Sequence, residues 1–245
     1  MKRYTSPSVG RAVHLQVAAT LMELSEAYRL TGLPKEGIAQ AKEALEIYER
    51  LGHTVRQAEC LIKLARLLDS DKQLDAAKDA AFRAIALLPE KGEEYRACRS
   101  HRALGTVYQS KGKTEKAIYH FEVALGIASP FNWHDDLFWI HYDLAGLFRR
   151  KHRFNDAQSH IECAKSHTVN SPYHLGYATE GQAWIWYHQH RLEEAESEAL
   201  RAAHIYEKLG ATKVVEDCRK LVRKIEIKLN ARVASGQSGF DCELL

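Results

Sequence analysis

Apolar residues recur along this chain at three- and four-residue steps, as at Leu21, Leu24 and Tyr28. That is the period of an α-helix with one buried face. The helical stretches end in pairs of punctuation. Gly32, Gly112, His152 and His190 fall where a first helix must turn into a second, and Gly52, Gly92 and Gly210 close second helices as C-caps. The pattern predicts paired helices joined by short turns.

The pairs are copies of one another. A large residue closing the first helix falls at Tyr28, Leu68, Tyr108 and Phe148, each 40 apart, and then at Trp186. A small residue precedes it by three, at Ser25, Ala65, Gly105, Ala145 and Ala183. Small residues open the second helix at Gly37, Ala77, Ala117, Ala157 and Ala195, and recur at Ala44, Ala84, Ala124, Ala164 and Ala202. Two antiparallel helices approach closely only where small side chains sit at the crossing. One hairpin cannot bury both of its faces, so its neighbours must stack. The expected fold is therefore all-α: five helical hairpins over 11–210 in a right-handed superhelical solenoid. A tail over 1–10 precedes it. Val214, Val215, Cys218, Leu221, Val222, Ile225 and Leu229 mark one apolar face of an amphipathic helix over 211–230, expected to cap the array. The small polar residues of 231–245 predict a disordered tail.

These slots resemble the tetratricopeptide repeat, with its W-x2-L-G-x2-Y, A-x3-F and P signature. The third copy shows it best, as His101-x2-Leu104-Gly105-x2-Tyr108, then Ala117-x3-Phe121. The leading Trp is replaced by Leu21, Leu61, His101, His141 and Thr179, and the period is 40 rather than 34. Long repeats of this kind are similar to those of kinesin light chains, of MalT-type regulators, and of arrays that follow a nucleotide-binding module in fungal and bacterial NLR-like (STAND) proteins. The echo of Ile47-Tyr48-Glu49-Arg50-Leu51-Gly52 in Ile205-Tyr206-Glu207-Lys208-Leu209-Gly210 is most like the last group.

The resemblance implies a non-catalytic protein-interaction scaffold or adaptor, whose first helices line a concave groove. The periodicity places Met22, Glu26 and Arg29 there in the first repeat, then Glu59, Ile62, Arg66 and Asp69, and then Arg99, Arg102, Thr106 and Gln109. The fourth repeat offers Trp139, Tyr142, Gly146, Arg149 and Arg150, and the fifth Tyr177, Glu180, Trp184, Tyr187 and His188. Arg66, Arg99, Arg102 and Arg149 would pair carboxylates. Trp139, Tyr142, Tyr177, Trp184 and Tyr187, beside His188, would anchor apolar groups, since Trp, Tyr and Arg dominate binding hot spots. The expected partner is a protein or peptide segment with acidic and apolar residues. Packing of the aromatics within the array is the competing reading. Asn132, Asn155, Asn170 and Asn230 miss the groove slots, which disfavours the Asn-based grips of chaperone-binding arrays and kinesin light chains.

Composition narrows the chemistry further. The net charge is +3 in 245 residues, so a nucleic-acid-binding array is the weaker alternative, beside a self-assembling one. The five cysteines are widely spaced with no CxxC, which suggests neither zinc nor a disulfide framework, and a reducing, cytoplasmic setting. No secretory signal or membrane-spanning run is read, and no cofactor, metal, small-molecule substrate or membrane partner is expected. Cys242-Glu243-Leu244-Leu245 fits a prenylation frame, although Glu243 is a poor aliphatic. Among the thirteen histidines, His101 and His141 share one slot, as do His120 and His160, and are read as neutral copies of one position rather than converging ligands. Gly112-Lys113-Thr114 lacks the earlier glycine and the strand that a phosphate loop needs, and no catalytic motif is found.

Overall fold

In the computed structural model, residues 7–89, 92–168 and 171–235 are described. Every hairpin turn is built in the same way. The second residue after the first helix takes a positive φ, at Gly32, Lys72, Gly112, His152 and His190. The next N–H then donates to the carbonyl of the large slot residue: Leu33 to Tyr28, Gln73 to Leu68, Lys113 to Tyr108, Arg153 to Phe148 and Arg191 to Trp186, at 2.8–3.0 Å. This pattern satisfies carbonyls that the helix end would otherwise leave open. It reverses the chain at the same point in each copy.

The turns join α1 (Pro7–Leu30) to α2 (Pro34–Arg50), α3 (Thr54–Ser70) to α4 (Leu74–Ala86), and α5 (Glu94–Ser110) to α6 (Thr114–Ala128). They also join α7 (His134–Arg150) to α8 (Phe154–Ser166), and α9 (Pro172–His188) to α10 (Leu192–Lys208). A last helix, α11, spans Thr212–Ala234. Helix therefore starts before the boundary expected at residue 11 and continues past 230. The chain divides into two compact units, Met1–Asn132 with α1 to α6, and Trp133–Leu245 with α7 to α11.

Within the first unit, α1, α3 and α5 lie side by side, and each packs on its own second helix. The small slots are where the helices cross. Ala65, Ala77, Ala84, Ala117 and Ala124 have no exposed surface, nor does Phe121. Gly105 shows why the slot must be small: a Cβ there would sit 2.8 Å from the Phe121 ring. The second unit repeats the scheme with Ala157, Ala164, Ala195 and Ala202, all fully buried. There α11 lays Leu221, Val222 and Ile225 against Leu192, Ala195 and Ala199 of α10, while Val215 and Cys218 pack on Ala202, Ala203 and Tyr206. Its other face, with Arg219, Lys220 and Arg223, is exposed. A polar outer face is what closes the end of a repeat stack.

Candidate functional site

The first helices carry the residues expected to bind a partner, and each unit presents its own set. In the first unit, Glu26 on α1 is gripped by Arg29 at 2.7 Å and approached by Arg66 of α3 at 3.7 Å. Burial pushes the Glu26 carboxyl up, but its bond to Arg29 and the charges of Arg66, Arg29 and Lys63 outweigh this and hold it below the usual range. Arg66 itself is lowered to about 10, first by burial and next by Arg29, with Arg102 and Arg99 adding and Glu26 opposing. Arg99 lies with its guanidinium 5.5 Å from the Tyr95 ring centre and its Nη1 3.4 Å from Tyr95 Oη. Among the described residues no carboxylate meets Arg99.

One helical turn towards the N-terminal ends of α3 and α5, the same face sinks into a cavity of about 420 Å3 bordered by α1, α2, α3 and α5. Met22 and Ile62, expected to face outward, are instead largely buried in its floor. The Cys60 thiol beneath donates to Met22 Sδ at 2.8 Å. Around the rim, Arg96 binds Glu59 at 2.5 Å and also Glu93, Arg56 meets Glu59 at 2.8 Å, and Lys63 meets Glu23 at 3.3 Å.

In the second unit the aromatic residues stack on one another. Trp139 meets Phe138, Tyr142, His174 and Tyr177 edge to face, at centroid distances of 5.0–6.0 Å. Tyr177 continues to Tyr142 at 5.5 Å and to fully buried Tyr206 at 5.7 Å. Burial pushes the Tyr142 and Tyr177 hydroxyls well up, so neither ionises in the usual range. Trp184 stands between two cations, Arg149 of α7 at 5.4 Å and Lys224 of α11 at 5.5 Å, and its Nε1 donates to Glu180 at 3.4 Å. Lys228 lies 3.9 Å over the Tyr187 ring, and His188 stacks on Trp184 at 6.1 Å. The ten expected residues thus divide into an arginine set (Arg66, Arg99 and Arg102) and an aromatic set with Arg149 whose rings largely contact one another.

A family model described as Tetratricopeptide repeat matches residues 16–90. Residues 16–90 are therefore similar to tetratricopeptide repeats. A comparison with curated proteins gives no match. Solved structures share the fold along most of the chain. A signal transduction ATPase (STAND) protein with a tetratricopeptide repeat sensor, from Pyrococcus horikoshii, is 14% identical with a TM-score of 0.69, covering 95% of this chain and 38% of its own. A tetratricopeptide protein from Thermus thermophilus is 14% identical with a TM-score of 0.66, covering 86% and 99%. A Rap protein complexed with competence and sporulation factor is 16% identical with a TM-score of 0.64, covering 89% and 66%. This chain therefore spans just under two thirds of the Rap protein and about two fifths of the Pyrococcus protein.

The array corrects the reading of the histidines. They are copies of one slot, as expected, but each copy contains a convergent pair. His101 meets His120 Nδ1 to Nδ1 at 3.1 Å, and His141 meets His160 at 2.9 Å. The convergence runs across one hairpin, from first helix to second, so comparing neighbouring repeats could not show it. A third pair, His134 with His167 at 3.1 Å, was not anticipated either. Its signal was a His at the start of the first helix and another just past the end of the second helix of one hairpin. Among the described residues no group of three or more His, Cys, Asp or Glu side chains is arranged to hold a metal ion. No helix among them is long and apolar enough to cross a membrane. Burial lifts the Cys60 and Cys218 thiols to about 12, which makes both poor nucleophiles. Cys242 lies outside the described residues.

Proposed function

We propose that this chain is a non-catalytic interaction module, a scaffold or adaptor that takes an acidic, partly apolar segment of a protein partner on its first-helix faces. The observation that carries this reading is the crowding of Arg66 on α3 by Arg29 on α1 and by Arg99 and Arg102 on α5, with Glu26 held by Arg29 and Arg66, beside an open cavity. Partly buried guanidinium groups crowded by like charge gain from an incoming carboxylate, which they can grip with two bonds. The fold supports the reading as well. Tetratricopeptide arrays are interaction scaffolds in general, and the similarly folded Rap protein is complexed with a factor. Likeness to the sensor of the Pyrococcus protein suggests the sensing or scaffolding part of a larger assembly.

The test is capture of a partner from the source cells, its identification, and binding of the purified partner to wild type and to an Arg99→Glu, Arg102→Glu double variant. Affinity should fall by tenfold or more, and more steeply at low salt. Equal affinity would remove the arginine face from the binding surface.

A further inference from the structure

We infer that the cavity between α1, α3 and α5 is a side-chain pocket for a leucine-sized apolar residue of an acidic peptide, with Arg99 as the clamp for an adjacent carboxylate. The inference rests on the interaction reading above and deepens it. The apolar anchor point moves from the aromatic residues of α7 and α9 to the first unit.

Three observations carry it. First, the space exists: about 420 Å3 is within the usual range of about 300–1,000 Å3 for ligand pockets. Met22, Ile62 and Ala19 supply apolar walls, and the Cys60 contact fixes the Met22 thioether in place. Second, the rim charges are sorted. Arg56 and Arg96 are joined to Glu59, and Lys63 to Glu23, so these cations are already matched. Arg99 meets only Tyr95 among the described residues, and its partly buried guanidinium stands at the mouth. An apolar floor beside a carboxylate-free guanidinium is complementary to an aliphatic side chain followed by Asp or Glu. Third, the face continues. Arg66 lies one turn beyond Ile62 on α3, and Arg102 one turn beyond Arg99 on α5, both on the same helix faces. That cationic stripe suits an extended chain with further acidic residues better than a compact solute. The aromatic residues Trp139, Tyr142 and Tyr177 instead contact one another.

The chain contains only two methionines, Met1 and Met22, so a 13C-methyl methionine spectrum carries one reporter at the pocket floor. Three capped hexapeptides serve as probes on the full chain: two leucines flanked by glutamates, two serines flanked by glutamates, and two leucines flanked by lysines. The first should shift the Met22 methyl, and the other two should leave it in place. Ile62→Trp should abolish the shift by filling the cavity. Arg99→Glu, at the exposed mouth, should weaken the first peptide at least tenfold and carries the test if the tryptophan variant does not fold. A Met22 methyl unmoved by millimolar leucine–glutamate peptide overturns the pocket, as does an equal response to all three peptides. Binding seen by anisotropy with a silent Met22 methyl and no loss in Arg99→Glu also overturns it. That last result leaves the wider interaction reading standing, because the partner-capture experiment tests that reading by itself.

Discussion

His101 of α5 and His120 of α6 face each other Nδ1 to Nδ1 at 3.1 Å, with the Tyr108 ring stacked on His120 at 5.3 Å. The next hairpin repeats the arrangement, with His141 on His160 and Phe148 stacked on His160 at 5.2 Å. Such a pair is satisfied when one ring donates and the other accepts, so it tolerates one proton fewer than two imidazolium rings would carry.

These pairs predict acid sensitivity. Burial, then the neighbouring His101, lowers His120 to about 4, and burial, then His160, lowers His141 to about 4. An unfolded histidine titrates near 6.5. The stabilisation is therefore complete above about pH 6.5 and is lost as pH falls towards 4, because only the unfolded chain takes up the protons. Each such proton steepens the fall by about 1.4 kcal/mol per pH unit. Urea midpoints between pH 8 and 4.5 should show this loss, and His120→Phe should flatten it. An unchanged slope in that variant would mean that the pair does not control acid stability.

Gly105 faces the Phe121 ring at a distance that excludes a Cβ. At the corresponding places the chain has Ser25 with Ala41, Ala65 with Ala81 and Ala183 with Ala199. Gly105→Ala should gain about 1 kcal/mol of helix propensity yet lose more through overpacking of about 1–3 kcal/mol. Combined with Phe121→Leu, the alanine should become neutral or favourable. Thermal or urea unfolding of the two single variants and the double variant measures this coupling.

His152 holds a φ of 58° in a turn where the first and third hairpins use glycine. A left-handed conformation costs a residue with a Cβ roughly 1 kcal/mol. His152→Gly should therefore stabilise the second unit by about 0.5–1 kcal/mol, less the added flexibility of the unfolded chain. Gly112→Ala should destabilise by a similar amount. Equal midpoints for both variants and the parent would show that the turn is not strained.

Trp139 meets the rings of Phe138, Tyr142, His174 and Tyr177 edge to face, whereas Trp184 meets the Tyr187 and His188 rings and the cationic chains of Arg149 and Lys224. Trp139→Ala should cost about 3–5 kcal/mol, near the value for a core aromatic. Trp184→Ala should cost less, and it should quench the part of the fluorescence that responds to Lys224→Ala. A larger loss at Trp184 would reverse this assignment of packing and surface roles.

Much of this was legible from residue types alone. The slots Tyr28, Leu68, Tyr108, Phe148 and Trp186 mark every hairpin turn, because the carbonyl of that residue accepts the closing hydrogen bond in each copy. Alanines at the crossings follow from helix packing distances, and they are buried where the pattern places them. Other features were not legible. Lys72 occupies the positive-φ turn with no glycine to announce it. Met22 and Ile62 sit in outward register yet are covered by neighbouring side chains, since register sets a direction and not a depth.

By itself, the sequence determined the repeat, the all-helical hairpins and the chemistry offered by each first helix. Periodicity and small-residue spacing act locally and depend little on distant parts of the chain. Only the tertiary structure decided which of those side chains meet: His101 with His120, Trp139 with Tyr177, and Arg99 at the edge of a cavity rather than against a carboxylate. Such contacts depend on the depth and angle at which helices far apart in sequence pack. Summed packing of many weakly directional side chains sets those quantities, and no short motif encodes them.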